Sequence, residues 1–396
     1  MKILVIGSGG REHALAWRLA LEGHQIVCAP GNPGTARVGR NIATTDYLTI
    51  PSDLTVVGPE APLVAGVVDQ FRAQGRPIVG PSQEAARLEA SKIYSKEFMR
   101  RVGIPTARFV RVETPQEGLA ALDRFEYPVV VKTDGLAAGK GVIIAQDRRE
   151  AEAAVASLGP RLVIEEFLEG EEVSFIVLSD GRNVVPLEPT QDHKAVGDGD
   201  TGPNTGGMGA YCDGRILSPI DAGKILDTVI EPAVHATGFT GFLYAGIMMA
   251  AGGPRVLEFN VRLGDPETQA LMHRIDDDFA GALARAASGQ LNRASLTWKS
   301  DPSVCVVVAA HGYPGNVRTG DPIQIHDTPA QVFHAGTRIG PRGLETAGGR
   351  VLGVTASGPD LATAIANVYA GVDNIHFDGM HYRRDIGSKG LKRWYN

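Results

Sequence analysis

Three cysteines in 396 residues, Cys28, Cys212 and Cys305, are too few, too scattered and odd in number to form a disulfide framework or a paired-cysteine zinc site. The expected setting is therefore a reducing one, the cytoplasm. Long apolar runs are also missing: the opening MKILVIGSGG turns polar after six residues and no later run approaches bilayer length, so neither a leader nor a membrane span is expected. There is no block of Lys or Arg, and the formal net charge is −6, which removes nucleic acid from the leading ligands. What remains is an ordinary soluble composition on a chain too long for one hydrophobic core.

Along the chain, KILVIG followed by REHALAWRLALEG and an apolar run at 25–29 reads as strand, turn, helix, strand. Further strands at 54–58 and 77–79 extend this into an open parallel α/β domain over residues 1–90. A helix over 91–102 follows. Residues 106–172 alternate strands and helices around a glycine-rich hairpin and form a lid-like subdomain. Strands near 173–188, a helix over 219–235 and paired strands over 243–259 complete a second domain, 91–295. The segment 296–396 reads as a smaller β-rich domain ending in the basic tail RRDIGSKGLKRWYN.

Four segments carry chemistry. GSGGREH at 7–13 sits where a strand hands over to a helix, which presents amide N–H groups to a phosphate. A dinucleotide fold would place glycine or alanine where Glu12 stands and an acid about 20 residues on, so a nicotinamide cofactor is disfavoured and a dehydrogenase with it. KTDGLAAGKG at 132–141 lacks the GK[S/T] ending of a Walker loop; its glycines with Lys132 and Lys140 suit a lid over a nucleotide triphosphate. IEEFLEGEE at 164–172 offers an extended hinge for adenine, with Glu172 placed for ribose hydroxyls. In LEFNVRLGDPETQ, Glu258 and Asn260 share one face of a strand, a hard oxygen pair for Mg²⁺ or Mn²⁺, and Arg262 continues that face.

A fifth segment, DHKAVGDGDTGPNTGGMGAY at 192–211, has too many aspartates to cradle phosphate unaided and lies inside a domain, so it reads as a substrate-side loop, not a linker. Among the histidines only His193, inside this loop, is retained as an acid/base candidate; His13 and His311 read as structural.

In order, GSGGREHALAW, APGNPGT, VVGPEAPLVAG, GPSQEAARLEASK, KTDGLAAGKGV, IEEFLEGEEVSF, QDHKAVGDGDTGPNTGGMGAY, GFLYAGIMM, EFNVRLGDPETQ, HAGT and RRDIG closely resemble the glycinamide ribonucleotide synthetases (phosphoribosylamine–glycine ligases) of the ATP-grasp superfamily. The resemblance implies a purine-biosynthesis ligase in which ATP, glycine and 5-phosphoribosylamine give glycinamide ribonucleotide through glycyl phosphate. It implies Lys92 and Lys132 at the ATP phosphates, Glu165, Glu166, Phe167 and Leu168 at adenine and Glu172 at ribose. Glu258 and Asn260 are then the metal ligands. Arg262, with Lys140 and Asp265, is catalytic; it either stabilises the transferring phosphoryl group or holds glycine's carboxylate. Gly9, Gly10, Arg11, Glu12, Asn32, Glu60, Asp192, His193, Lys194, Asp200 and Asn204 are expected to face the substrates.

A monomer meeting the phosphoribosylamine-producing amidotransferase transiently is expected. Rival readings are another ATP-grasp ligase or carboxylase and a nucleotide-binding relative without turnover. This chain departs from the family pattern in three places: about ten residues of helix are missing near 50–51, the connection at 157–161 is short, and Ala195 stands where arginine commonly follows the lysine of QDHK.

Overall fold

A computed structural model describes residues 1–136, 141–276, 278–292 and 296–395. The N-terminal sheet is parallel, in the order Arg40–Asn41, Gln25–Pro30, Lys2–Gly7, Leu54–Val57, Ile78–Val79. Ile3, Leu4, Val5 and Ile6 are all fully buried, which explains their unbroken apolar run: both faces of this sheet are covered. The strand order reverses beside Lys2–Gly7. The crevice at that switch point opens between the turns after Gly7 and after Val57, where a ligand is expected in such sheets.

The shortened connection near residue 50 is a single turn at Tyr47–Thr49. Arg76 spans it, donating to the Leu48 carbonyl at 2.7 Å, to the Ile50 carbonyl and to Ser52 Oγ at 3.1 Å. One guanidinium thus satisfies carbonyls that a helix would otherwise have paired internally.

The lid is an antiparallel sheet, Phe109–Val112, Leu162–Glu166, Val129–Thr133, Val142–Ala145, with its own core of Val112, Leu122, Val129, Val131, Ala151, Val155 and Ile164. Its first strand begins at Phe109. The helix expected over 219–235 is divided: Pro219–Ile225 and Glu231–Thr237 flank a wider turn at Leu226–Ile230, because Pro232 cannot supply an N–H to the preceding turn.

A second sheet, antiparallel throughout, runs Gly253–Asn260, Thr240–Ala250, Glu171–Asp180, Thr190–Asp192, Gly209–Cys212, Ser303–Ala309, Arg350–Ser357, Gln331–His334, with Val184–Pro186 paired to Glu171–Asp180. Gly209–Cys212 pairs directly with Ser303–Ala309, so the C-terminal strands extend the nucleotide-side sheet without a break. Among the described residues no helix is long and apolar enough to cross a membrane.

Candidate active site

The helix Lys92–Val102 starts at Ser91, whose Oγ accepts the Tyr94 N–H at 3.1 Å, and ends at Gly103 in the left-handed region (φ 83°). Asp134 of the lid fixes its first turn by accepting from Ser91 Oγ at 2.8 Å and from the Ile93 N–H at 3.1 Å. Lys92 and Lys96, one turn apart, therefore face the space between lid and sheet. Lys92 donates to the Gly135 carbonyl at 2.7 Å. Glu165 is buried between Lys96, 2.5 Å from its Oε2, and Lys132, which contacts its Oε1. The Glu165 side chain is thus committed to two lysines, and its backbone lies within the lid sheet between Phe109 and Val130.

Glu166 accepts from the Arg108 N–H at 2.8 Å and from Arg255 at 3.1 Å. With Phe167 and Leu168 it lines an open cleft of about 750 Å³. Glu172 is paired with Lys194.

On the facing strand a bulge pairs Gly246 with Glu258 and Ile247 with Val256, leaving Leu257 unpaired; its carbonyl accepts from Lys132 Nζ at 3.3 Å. Beyond the bulge the period of two is regular, so Glu258 and Asn260 share a face. Burial alone would raise the Glu258 carboxyl, but Lys194, Lys132, Lys92 and Arg262 together hold it below the usual range. No described residue donates a hydrogen bond to that carboxylate. Burial pushes the Asp192 carboxyl up to about 8; Lys194 opposes this, and Glu267, Glu172 and Glu258 add to it.

Arg262 lies past the end of the strand, not on its continuation as the sequence pattern suggests. Its guanidinium turns back to donate to Asn260 Oδ1 at 3.0 Å and to Glu89 at 2.8 Å, with Glu60 3.7 Å away. Burial works against this charge, but Glu89 and then Glu60 more than offset it, and Arg262 is held firmly cationic. Asp265 takes Gln269 Nε2 at 2.8 Å and lies 3.3 Å from Arg350 of the C-terminal segment.

Three expectations are corrected here. Glu12 closes the first loop from inside: its carboxylate accepts the Gly9 N–H at 2.5 Å and Arg11 Nε at 2.6 Å, and a Cβ on Gly58 would sit 2.1 Å from it. It is a helix cap, not a substrate ligand. Glu12→Ala is therefore expected to lower stability by about 1 kcal/mol, the usual worth of a cap, read by chemical denaturation. Asn32 likewise spends its side chain on the fold, accepting from the Gly34 and Thr35 N–H groups and donating to the Ser8 and His334 carbonyls, each at 2.8–3.0 Å. Asp200 is committed to the C-terminal segment, bound by Arg383 at 2.9 Å and Lys389 at 2.8 Å.

Of the other substrate-side residues, Gly9, Gly10 and Arg11 pack against the 263–269 segment: Arg11 donates to the Leu263 carbonyl at 3.0 Å, and Gly10 leaves only 2.7 Å for a Cβ beside Gln269. Glu60 joins them through Arg262. Asn204 is exposed on the hairpin. His193 is buried with neither ring nitrogen hydrogen-bonded among the described residues, and burial, with Lys389 and Arg383 nearby, lowers it to about 3, so it stays neutral near pH 7. Lys140 lies outside the described residues.

Lys96 was missed although it stands four residues after Lys92, a spacing that places both on one helix face. Glu267 was missed too: it accepts from Tyr244 Oη at 2.7 Å and Ser174 Oγ at 3.2 Å, partners that only the folded sheet brings to it.

Three family models match consecutive parts of the chain: phosphoribosylglycinamide synthetase N domain over residues 1–89, its ATP-grasp (A) domain over 90–268 and its C domain over 303–389. The chain is 48% identical over 425 residues to a phosphoribosylamine–glycine ligase of Xanthomonas axonopodis pv. citri, with 99% of each covered. It is 46% identical over 431 residues to that of Escherichia coli O6:H1, with 100% of each covered. The crystal structure of phosphoribosylamine–glycine ligase from Thermotoga maritima superposes with a TM-score of 0.87 at 35% identity, covering 98% of this chain and 100% of that one. Biotin carboxylase from Campylobacter jejuni, at 15% identity and a TM-score of 0.73, shares the fold.

Proposed function

The chain belongs to the phosphoribosylglycinamide synthetase family, and from that premise we propose how its residues divide the work. Its reaction is the ATP-dependent joining of glycine to 5-phosphoribosylamine in purine biosynthesis. A glycine carboxylate oxygen attacks the γ-phosphorus and ADP leaves; the phosphoribosylamine nitrogen then attacks the carbonyl carbon of glycyl phosphate, phosphate leaves, and the nitrogen gives up its proton. Both steps need charge neutralisation and positioning more than a protein nucleophile.

The observation that carries this reading is the meeting of Lys92, Lys132, Arg262 and Glu258 between lid and sheet. Lys92 and Lys132 bind the phosphates, the backbone of 165–168 binds adenine and Glu172 takes the ribose hydroxyls. Arg262, kept cationic by Glu89 and Glu60, receives either phosphoryl charge or glycine's carboxylate, and Asp265 positions the turn around it. Gly9, Gly10, Arg11 and Glu60 at the switch point bind the sugar phosphate, and Asp192, Lys194 and Asn204 face the substrates from the other side. The lid, with Lys140, excludes water from the acyl phosphate.

ATP-grasp sites work with a divalent ion, and the donor set here fits one: an ionised carboxylate, Glu258, without a described hydrogen-bond donor, beside the Asn260 amide. Two protein ligands suit an ion that is otherwise held by nucleotide phosphates. When bound, Mg²⁺ or Mn²⁺ would neutralise phosphate charge. On this proposal the enzyme works in the cytoplasm as a monomer that meets the amidotransferase supplying its amine only transiently.

ADP release that depends on glycine, measured with phosphoribosylamine generated in situ, tests the reading; turnover with bicarbonate in place of glycine would overturn it. EDTA is expected to abolish that release, and Mg²⁺ or Mn²⁺ to restore it; full activity in EDTA would remove the metal assignment.

A further inference from the structure

Residues 193–205 form a hairpin whose strands, Ala195–Gly197 and Thr201–Asn204, meet in a turn at Asp198–Asp200. Gly197, Gly199 and Gly202 make it costly to hold in one shape. Its base is closed by the Lys194 carbonyl, which accepts the Thr205 N–H and Oγ1, both at 2.8 Å. Beyond its base, the strands and turn are tied to one short stretch of the C-terminal segment. Arg383, 1% exposed, donates through Nη1 to the Ala195 carbonyl at 3.1 Å and to Asp200 at 2.9 Å, and through Nε and Nη2 to Asp385 at 2.7 Å. Asp385 accepts the Gly199 N–H at 2.9 Å, the Arg384 N–H reaches Asp198 at 2.7 Å, and Lys389 reaches Asp200 at 2.8 Å. Two of the three aspartates that made this loop look unfit for phosphate, Asp198 and Asp200, are thus bound by the RRDIGSK segment.

We infer that Arg383 is a positioning residue for the ligase reaction: through it the C-terminal segment fixes the hairpin and so sets where Lys194 stands. A buried guanidinium in this position holds three residues at once, Ala195 and Asp200 of the hairpin and Asp385 of its own segment, which no lysine can copy. A shift of the hairpin moves Lys194 on the substrate side directly and reaches the ribose side only through its single ion pair with Glu172, while Lys92, Lys132 and the hinge stay put. The inference rests on the ligase reading for its kinetic readout, and on the hairpin geometry alone for its structural one.

Arg383→Ala, Arg383→Lys and Lys389→Ala in the full chain test it. In Arg383→Ala, kcat/KM for glycine and for phosphoribosylamine should fall ~10²-fold, the cost of an ångström-scale misplacement, while ADP affinity by calorimetry changes less than about twofold. Millimolar guanidinium should restore part of the loss, and Arg383→Lys should restore little. Lys389→Ala, at a partly exposed position, should weaken the same two constants by about fivefold or less, the size of one exposed ion pair. Limited proteolysis should cut the 196–204 hairpin faster in each variant. An equal loss of ADP affinity, or unchanged constants with unchanged cleavage, overturns the inference. Should Arg383→Ala fail to fold, Lys389→Ala decides by the same measures. Wild-type protein without glycine-dependent ADP release would sink the ligase reading, and the cleavage comparison would still decide the anchor.

Discussion

Glu258→Ala will lower kcat by at least ~10³-fold and leave the fold intact, because the residue supplies charge to the site and little to the core. Its carboxylate sits on the strand edge beyond the bulge, drawn below its usual pKa by Lys194, Lys132, Lys92 and Arg262. Removing it takes a negative charge from among four cations and takes away the sole carboxylate of the proposed metal pair. Glu258→Gln keeps the shape and loses the charge, so it should be nearly as inactive; Glu258→Asp should keep a fraction of the rate. Thermal unfolding of Glu258→Ala close to that of wild type, together with absent glycine-dependent ADP release, is the expected pair of results. Turnover within tenfold of wild type would show that Glu258 is not a metal ligand.

Glu165→Ala should lower the free energy of unfolding by about 3–5 kcal/mol, the cost of removing one partner from a buried ion cluster. Lys96 and Lys132 would be left as two buried ammonium groups without the carboxylate that both contact. Burial by itself raises the Glu165 carboxyl, but Lys132 and Lys96 outweigh it and its folded-state pKa lies below the usual value of 4.5. The sign follows: its stabilising contribution is complete above about pH 4.5 and is lost as pH falls through the lower, folded-state value. The gap between wild type and variant, measured by urea denaturation, should therefore narrow in acid. A gap under about 1 kcal/mol at pH 7 would mean that the cluster is repaid by other contacts.

The strands were readable because burial on both faces leaves a plain signature, as in KILVI and in SVCVVVA at 303–309. The parity of Glu258 and Asn260 survived because the bulge falls before both of them. Long-range pairing left no such trace. Nothing in the composition of Gly209–Cys212 tells that its partner lies some hundred residues later, and the apparent boundary near residue 296 hides a continuous sheet. Side-chain roles failed where one residue type has two common uses: Glu12 has the chemistry of a ligand and that of a cap, and only the 2.5 Å approach to the Gly9 N–H separates them. Asp200 misled for the same reason, since its partners Arg383 and Lys389 are remote in sequence.

The join between Gly209–Cys212 and Ser303–Ala309 also governs how this chain can fail. Losing the last hundred residues would not trim an accessory unit; it would strip the strand Gly209–Cys212 of its neighbour and leave a row of open amide and carbonyl groups beside an apolar core. Such an edge recruits strands from other molecules. Damage to the C-terminal part of this enzyme is therefore expected to appear as aggregation and lost abundance before it appears as a weakened affinity.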